Sequence, residues 1–250
     1  MIFLMLWLSL LSTTGLFSSH PQPQNHLPRE VPVLCFHHIR PDTMHHLSPY
    51  SVTVSAFKAD MKILHDSGYH TVLPDQLYDY LTRGTPLPPK PVMITFDDND
   101  GEQFTIARPV LDQYGFKAVF FIMTVTIGKP HYMSKAQIKQ LAEEGHQIGL
   151  HTWDHHMVTR YTEQDWVKQL DEPKKMLEQL IGKPIPYFAY PYGVWNEQAI
   201  AELKKRNIKM AFQLSSKVDP RYPLFTVRRI IVAPGYSPQN LLKAMQRDFH

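Results

Sequence analysis

The sequence predicts an α/β fold, an irregular (β/α) barrel of 7–8 mostly parallel strands. Three observations predict it. From Val31 onward, short apolar runs alternate with helical patterns, the order of a parallel α/β architecture. Most of these runs are continuously apolar, as strands buried on both faces are. Seven or eight such units in about 220 residues fill one barrel rather than two domains. An open doubly wound sheet is the alternative arrangement.

The strand segments are 31–36, 69–73, 92–96, 118–122, 147–150, 187–190, 209–212 and 227–232. Helical patterns lie between them. Phe57, Met61 and Leu64 recur at i, i+4 and i+7 after Ser55, with Gly68 at the stop. Ser134 and Gln137 form a capping-box pattern ahead of Ile138 and Leu141, and Gly145 ends that helix. A further helix covers 196–206. A long pattern covers 162–181, where Pro173 should kink or split it. No internal repeat or low-complexity tract is visible.

Composition excludes several classes. The 250 residues are 43% hydrophobic and 20% charged, which rules out a disordered chain. Lys+Arg (26) barely exceeds Asp+Glu (23), and no basic run occurs, so nucleic acid is excluded as the expected partner. A single cysteine, Cys35, precludes an internal disulfide and a cysteine-based zinc site. Fourteen histidines direct attention to metal or acid–base chemistry. Residues 1–11 form an apolar run too short to span a bilayer comfortably, and Ser12–Gly15 and a polar, Pro-rich stretch follow. That order is read as a signal peptide or short membrane anchor over 1–19 and a linker over 20–30, ahead of one domain over 31–250. The run lacks a preceding Lys or Arg, which departs from the signal-peptide pattern. Export to the periplasm, cell surface or medium is the expectation. The sequence sets no oligomeric state.

Three strand ends carry polar residues that a fold does not need. Asp97 and Asp98 follow the strand at 92–96. Two adjacent carboxylates at the end of a buried strand are costly unless a cation or hydrogen bonds compensate. Neighbouring strand residues face opposite ways, so one Asp can bind a metal and the other act as a base if the backbone turns there. A plain loop cap is the competing account. His151, His155 and His156 follow the strand at 147–150. His151 and His155 meet on one face if the segment is a helical turn, a spacing that suits zinc with a carboxylate third ligand. His156, at i+5, is the weaker candidate. His37 and His38 follow the strand at 31–36. In a parallel barrel all strand C-termini open on one face, so His37, Asp97, Asp98 and His151 should converge there. A fourth strand ends in Pro191-Tyr192-Gly193, a turn whose backbone N–H can face the same rim. Cys35, mid-strand, is read as packed core rather than nucleophile, and His45 and His46 as solvated.

Together these segments resemble the NodB-homology polysaccharide deacetylase family, also described as carbohydrate esterase family 4, over roughly Val31 to Ile231. Thr95-Phe96-Asp97-Asp98 resembles its first motif, His151-Thr152-Trp153-Asp154-His155 its second, and Ala189-Tyr190-Pro191-Tyr192-Gly193 its third. The resemblance implies a (β/α) barrel and metal-assisted hydrolysis of an N-acetyl group. It assigns Asp97 as base, Asp98, His151 and His155 as ligands of a divalent cation, and Tyr192 N–H, beside Pro191, to the oxyanion. Zinc is the implied metal, with nickel, cobalt or iron as substitutes. Two departures stand out. The family's third-motif arginine is Ala189 here, and its late Leu-x-His motif is replaced by Val232-Ala233-Pro234-Gly235. Both resemble the branch that deacetylates poly-β-1,6-N-acetylglucosamine in biofilms. That branch has Phe-Ala-Tyr-Pro-Tyr-Gly, as at 188–193, and an early motif matched by Phe36-His37-His38-Ile39. It implies His37 as general acid. Arg229 is the candidate to orient the base in place of the missing arginine, with a structural ion pair as the alternative.

The expected partner is therefore an N-acetylglucosamine polymer. Three rivals stay open: a peptidoglycan or chitin-oligomer deacetylase using the same residues, a non-catalytic glycan-binding homologue, and a cytoplasmic amidase. A free base at Asp97 argues against the second, and the apolar N-terminal run against the third.

Overall fold

The computed structural model describes residues 29–214 and 216–249, so the predicted signal peptide or anchor and most of the linker lie outside the described residues. Ten strands run in chain order: β1 (Val33–Phe36), β2 (His38–Arg40), β3 (Ser51–Thr53), β4 (His70–Thr71), β5 (Pro91–Phe96), β6 (Val119–Ile122), β7 (Gln147–Leu150), β8 (Tyr187–Ala189), β9 (Met210–Phe212) and β10 (Ile230–Ile231). The main sheet has the order β10-β1-β5-β6-β7-β8-β9, with β4 beside β5, and every named pair is parallel. Each of the eight predicted strand segments overlaps one of its strands, and seven contain theirs whole, β5 starting one residue early at Pro91. The segment around β10 closes the ring. Val227 bridges Phe212 on one side, and Leu34 pairs with Ile230 on the other. The short β2–β3 pair lies off this sheet and was not predicted, because its three-residue strands carry no readable period.

Strand alternation sorts the core into two layers. Leu34, Phe36, Ile94, Phe96, Phe120 and Ile122 face the helices. Val33, Met93, Val119, Phe121, Tyr187 and Ala189 fill the barrel interior. Gly149 belongs to this packing: a Cβ there would sit 2.4 Å from the Phe121 ring. Continuing the same alternation just past these strands, the inward positions are His37, Asp97 and His151, and the backbones of Asp97 and His151 stay on the ladder. Asp97 N–H donates to Phe36 O at 3.0 Å, and His151 N–H to Ile122 O at 3.0 Å.

The helices match the predicted patterns with three differences. The first, Val54–Asp66, is capped by Thr53, whose hydroxyl accepts from Ala56 N–H, so it starts ahead of Ser55. The 162–181 pattern is helical throughout but is interrupted ahead of Pro173. Helix Glu163–Trp166 widens into a π segment, Val167–Asp171, and resumes as Glu172–Ile181. The wider turn accommodates the ring and missing N–H of Pro173. The same device precedes Pro109, where Gln103–Ala107 is a π segment. Helices Pro74–Arg83 and Pro238–Asp248, which the sequence reading passed over, also pack on the barrel. No helix among the described residues is long and apolar enough to cross a membrane.

Asp60 is a buried charge in the first helix. It is 1% exposed, Oδ1 has no hydrogen-bond partner, and burial raises the carboxyl from 3.8 to about 7. The folded state therefore binds the extra proton between those values, so this group's effect on stability worsens as pH rises from about 4 to about 7. Asp60→Asn should raise stability by roughly 2–4 kcal/mol at pH 8 and by little at pH 4. Urea unfolding at both pH values measures this. An equal gain at both would remove the desolvation account.

Candidate active site

Asp97 sits at the end of β5 and is 1% exposed. Burial alone would push its carboxyl up, but the Arg229 guanidinium overcomes this and holds it well below the usual carboxylate range. Arg229 supplies a bidentate clamp: Nη1 donates to Asp97 Oδ1 at 2.7 Å and Nη2 to Oδ2 at 2.8 Å. The guanidinium is fully buried, and its remaining bonds go to Gln213 O (2.9 Å) and Thr95 Oγ1 (3.2 Å). Ala189 faces the same barrel interior. The arginine contact to Asp97 is thus made from the last strand segment and not from position 189.

At Asp98 and Asn99 the backbone enters the left-handed region, with φ of 72° and 50°. This is the turn that separates the two carboxylates. Asp98 Oδ1 lies 3.5 Å from His151 Nε2 and 3.7 Å from His155 Nε2. The histidines do not meet on a helical turn, as the spacing had suggested. Thr152 and His155 take φ of 67° and 69°, and Thr152 Oγ1 accepts from His155 N–H at 2.9 Å. This tight loop brings the two rings to 4.8 Å. His151 Nδ1–H donates to Ala189 O at 2.8 Å, which leaves Nε2 as a lone-pair donor aimed at Asp98. Burial lowers His151 to about 3 and lowers His155 as well, so both rings are neutral at neutral pH, the state that metal binding requires.

The donor set fits a divalent cation. Asp98 Oδ1 and His151 Nε2 are buried with no hydrogen-bond partner. Burial, and then the Asp97 charge, raise the Asp98 carboxyl to about 7, a cost that a cation removes. The 3.5 and 3.7 Å separations approach the ~3.4 Å edge of a tetrahedron built on ~2.1 Å bonds. Cys35, His37 and Asp97 form a second group with metal-like spacing. There the Arg229 cation already occupies both Asp97 oxygens, which disfavours a dication. His156 is exposed, and its Nδ1 bonds to Asp154 Oδ1, away from the cluster.

His37 follows β1 and faces the same space. Its Nε2 is 3.8 Å from Asp97 Oδ2, and its ring centre is 5.3 Å from that of Tyr50. Burial lowers its imidazole to about 4, with Asp97 opposing. His38 turns elsewhere and bonds Asp100 Oδ2 at 2.7 Å, which Arg40 also binds at 2.8 Å. Across the site, Pro191 is buried, and Tyr192 (φ 58°) places its ring 4.5 Å from His155. His45 and His46 are exposed.

Sequence reasoning missed Gln103. Its amide donates to His37 O at 2.9 Å and to Asp97 O at 2.6 Å, tying the two strand ends together. No sequence signal marks a glutamine for this. Asn99 was missed too. Its Oδ1 accepts from Met123 N–H and the Thr126 hydroxyl, and the tolerance of asparagine for the left-handed backbone it adopts here was the available hint.

Comparison with known proteins places these features in context. The family described as Polysaccharide deacetylase matches residues 84–211. The chain is 30% identical over 211 residues to the YxkH protein of Bacillus subtilis (strain 168), covering 84% of this chain and 74% of that one. It is 30% identical over 201 residues to poly-beta-1,6-N-acetyl-D-glucosamine N-deacetylase of Staphylococcus aureus (strain MRSA252), covering 74% and 68%. Among solved structures, the Streptococcus pyogenes deacetylase PplD in complex with acetate superposes with TM-score 0.79 at 24% identity, covering 87% and 99%. IcaB from Ammonifex degensii gives TM-score 0.75 at 27% identity, covering 87% and 97%.

Proposed function

This chain belongs to the polysaccharide deacetylase family and is a deacetylase, and from that premise we propose that it removes N-acetyl groups from poly-β-1,6-N-acetylglucosamine. One observation carries the reading. The base Asp97 is flanked by a histidine from the first strand and an arginine from the last, His37 at 3.8 Å and Arg229 at 2.7 Å. The likeness to the Staphylococcus aureus poly-beta-1,6-N-acetyl-D-glucosamine N-deacetylase supports the choice of polymer.

Asp98, His151 and His155 would hold the cation, most simply zinc. When bound, it polarises the acetyl carbonyl and acidifies water. Asp97, fixed by Arg229, takes the proton of the attacking water. The Tyr192 backbone N–H donates to the developing oxyanion. His37 delivers a proton to the departing amine as the C–N bond breaks. The products are acetate and a glucosamine unit. Because such a polymer lies outside the cytoplasm, the proposal includes export through residues 1–19, and N-terminal sequencing of protein from the host tests it.

The deciding experiment is acetate release from β-1,6- and β-1,4-linked N-acetylglucosamine oligomers, with and without chelator. The expected result is turnover of the β-1,6 series, lost with chelator and restored by zinc. Faster turnover of the β-1,4 series would reassign the enzyme to peptidoglycan or chitin-type substrates. Activity that survives excess chelator would end the metal assignment.

A further inference from the structure

Cys35 lies on the inward face of β1, two residues before His37, and is 0% exposed. Its Sγ is 3.6 Å from Asp97 Oδ2 and 3.9 Å from His37 Nδ1, both within the longer reach of sulfur. Burial pushes the thiol up from its ordinary range, so it keeps its proton. A thiol has one hydrogen to donate, and its sulfur is a weak acceptor. Of the two neighbours, ionised Asp97 is the stronger acceptor, so the S–H points to Oδ2. The contact with His37 is then favourable in one tautomer only, with Nδ1–H donating to sulfur and Nε2 unprotonated.

That tautomer has a chemical consequence. Nε2 lies 3.8 Å from Asp97 Oδ2, beyond hydrogen-bond reach, so in the resting protein the carboxylate makes no hydrogen bond that fixes a proton on Nε2. We propose that Cys35 is a positioning residue that holds His37 in the Nδ1–H tautomer, so that Nε2 receives the proton Asp97 takes from water and passes it to the leaving amine. The step balances. Water loses one proton to Asp97, and the remaining hydroxide oxygen bonds the acetyl carbon. The proton moves from Asp97 to His37 Nε2 and then to the amine nitrogen as its bond to carbon breaks. Asp97 and His37 end as they began, with one water consumed. No other side chain is needed for the transfer. The role rests on the deacetylase mechanism proposed above, whereas the tautomer is a property of the resting protein.

The test uses the full zinc-loaded protein with 15N-labelled histidine, the His37 signals being assigned against His37→Gln. Wild type should show a protonated Nδ1 and an unprotonated Nε2. Cys35→Ala should shift His37 towards Nε2–H and lower kcat on N-acetylglucosamine oligomers about tenfold with KM unchanged. This is part of the 10²-fold or more that an acid–base group contributes. Cys35→Ser keeps a donor and an acceptor and should recover most of both. Nε2–H in wild type overturns the proposal, as does the same tautomer and kcat in a folded Cys35→Ala. If wild type turns over no oligomer, the deacetylase mechanism falls, while the nitrogen shifts still decide the tautomer.

Discussion

Arg229→Met is expected to cost the fold about 3–5 kcal/mol and to lower kcat by about 10²–10⁴-fold. Both effects come from one contact. Arg229 and Asp97 are buried at 0% and 1% exposure and share two hydrogen bonds of 2.7 and 2.8 Å. Removing the guanidinium leaves a carboxylate with no cation inside the barrel. Removing both charges is milder than removing one, since the cost lies in the unpaired partner. Asp97→Asn/Arg229→Met should therefore unfold at a higher urea concentration than Arg229→Met alone, while remaining inactive. Urea unfolding of the two single variants and the double variant gives the coupling directly. A single Arg229→Met variant within about 1 kcal/mol of wild type and fully active would show that the pair neither supports the barrel nor holds the base.

Much of the site could be read in the sequence because barrel topology does the assembly. His37, Asp97 and His151 each follow a buried strand, and parallel strands deliver their C-terminal ends to one rim. Arg229 was legible in part. It is the arginine on the last strand segment, offered in place of the one missing at Ala189, whereas its inward, fully buried position beside Asp97 came from the structure. What stayed hidden depends on backbone conformations that residue type does not announce. His151 and His155 meet through two left-handed residues, not through the helical turn their spacing suggests. Gln103 reaches the strand ends from a π segment whose widening is set by Pro109 six residues later. The β2–β3 pair is too short to carry a period, yet it carries His38 away from Asp97 and towards Asp100.

His37→Ala should leave the fold and metal binding intact and lower turnover of N-acetylglucosamine oligomers by roughly 10²-fold or more. The physical reason is the leaving group. An amine departs only with a proton, and of the two imidazole nitrogens 3.8 Å from Asp97, His37 Nε2 is the one not also aimed at Asp98. An aryl acetate releases a phenolate that leaves without one. The same variant should therefore hydrolyse 4-nitrophenyl acetate at close to the wild-type rate, while Asp97→Asn, which removes the base, should lose both activities. His38→Ala provides the contrast. Its ring is committed to Asp100 at 2.7 Å, so kcat on the oligomers should stay within about threefold of wild type. Equal losses on amide and ester for His37→Ala would make His37 a binding or structural residue. A dead His38→Ala beside an active His37→Ala would move the acid to the neighbouring histidine. Two near-wild-type variants would remove the first strand from the chemistry altogether and, with it, the main support for the β-1,6-linked polymer as substrate.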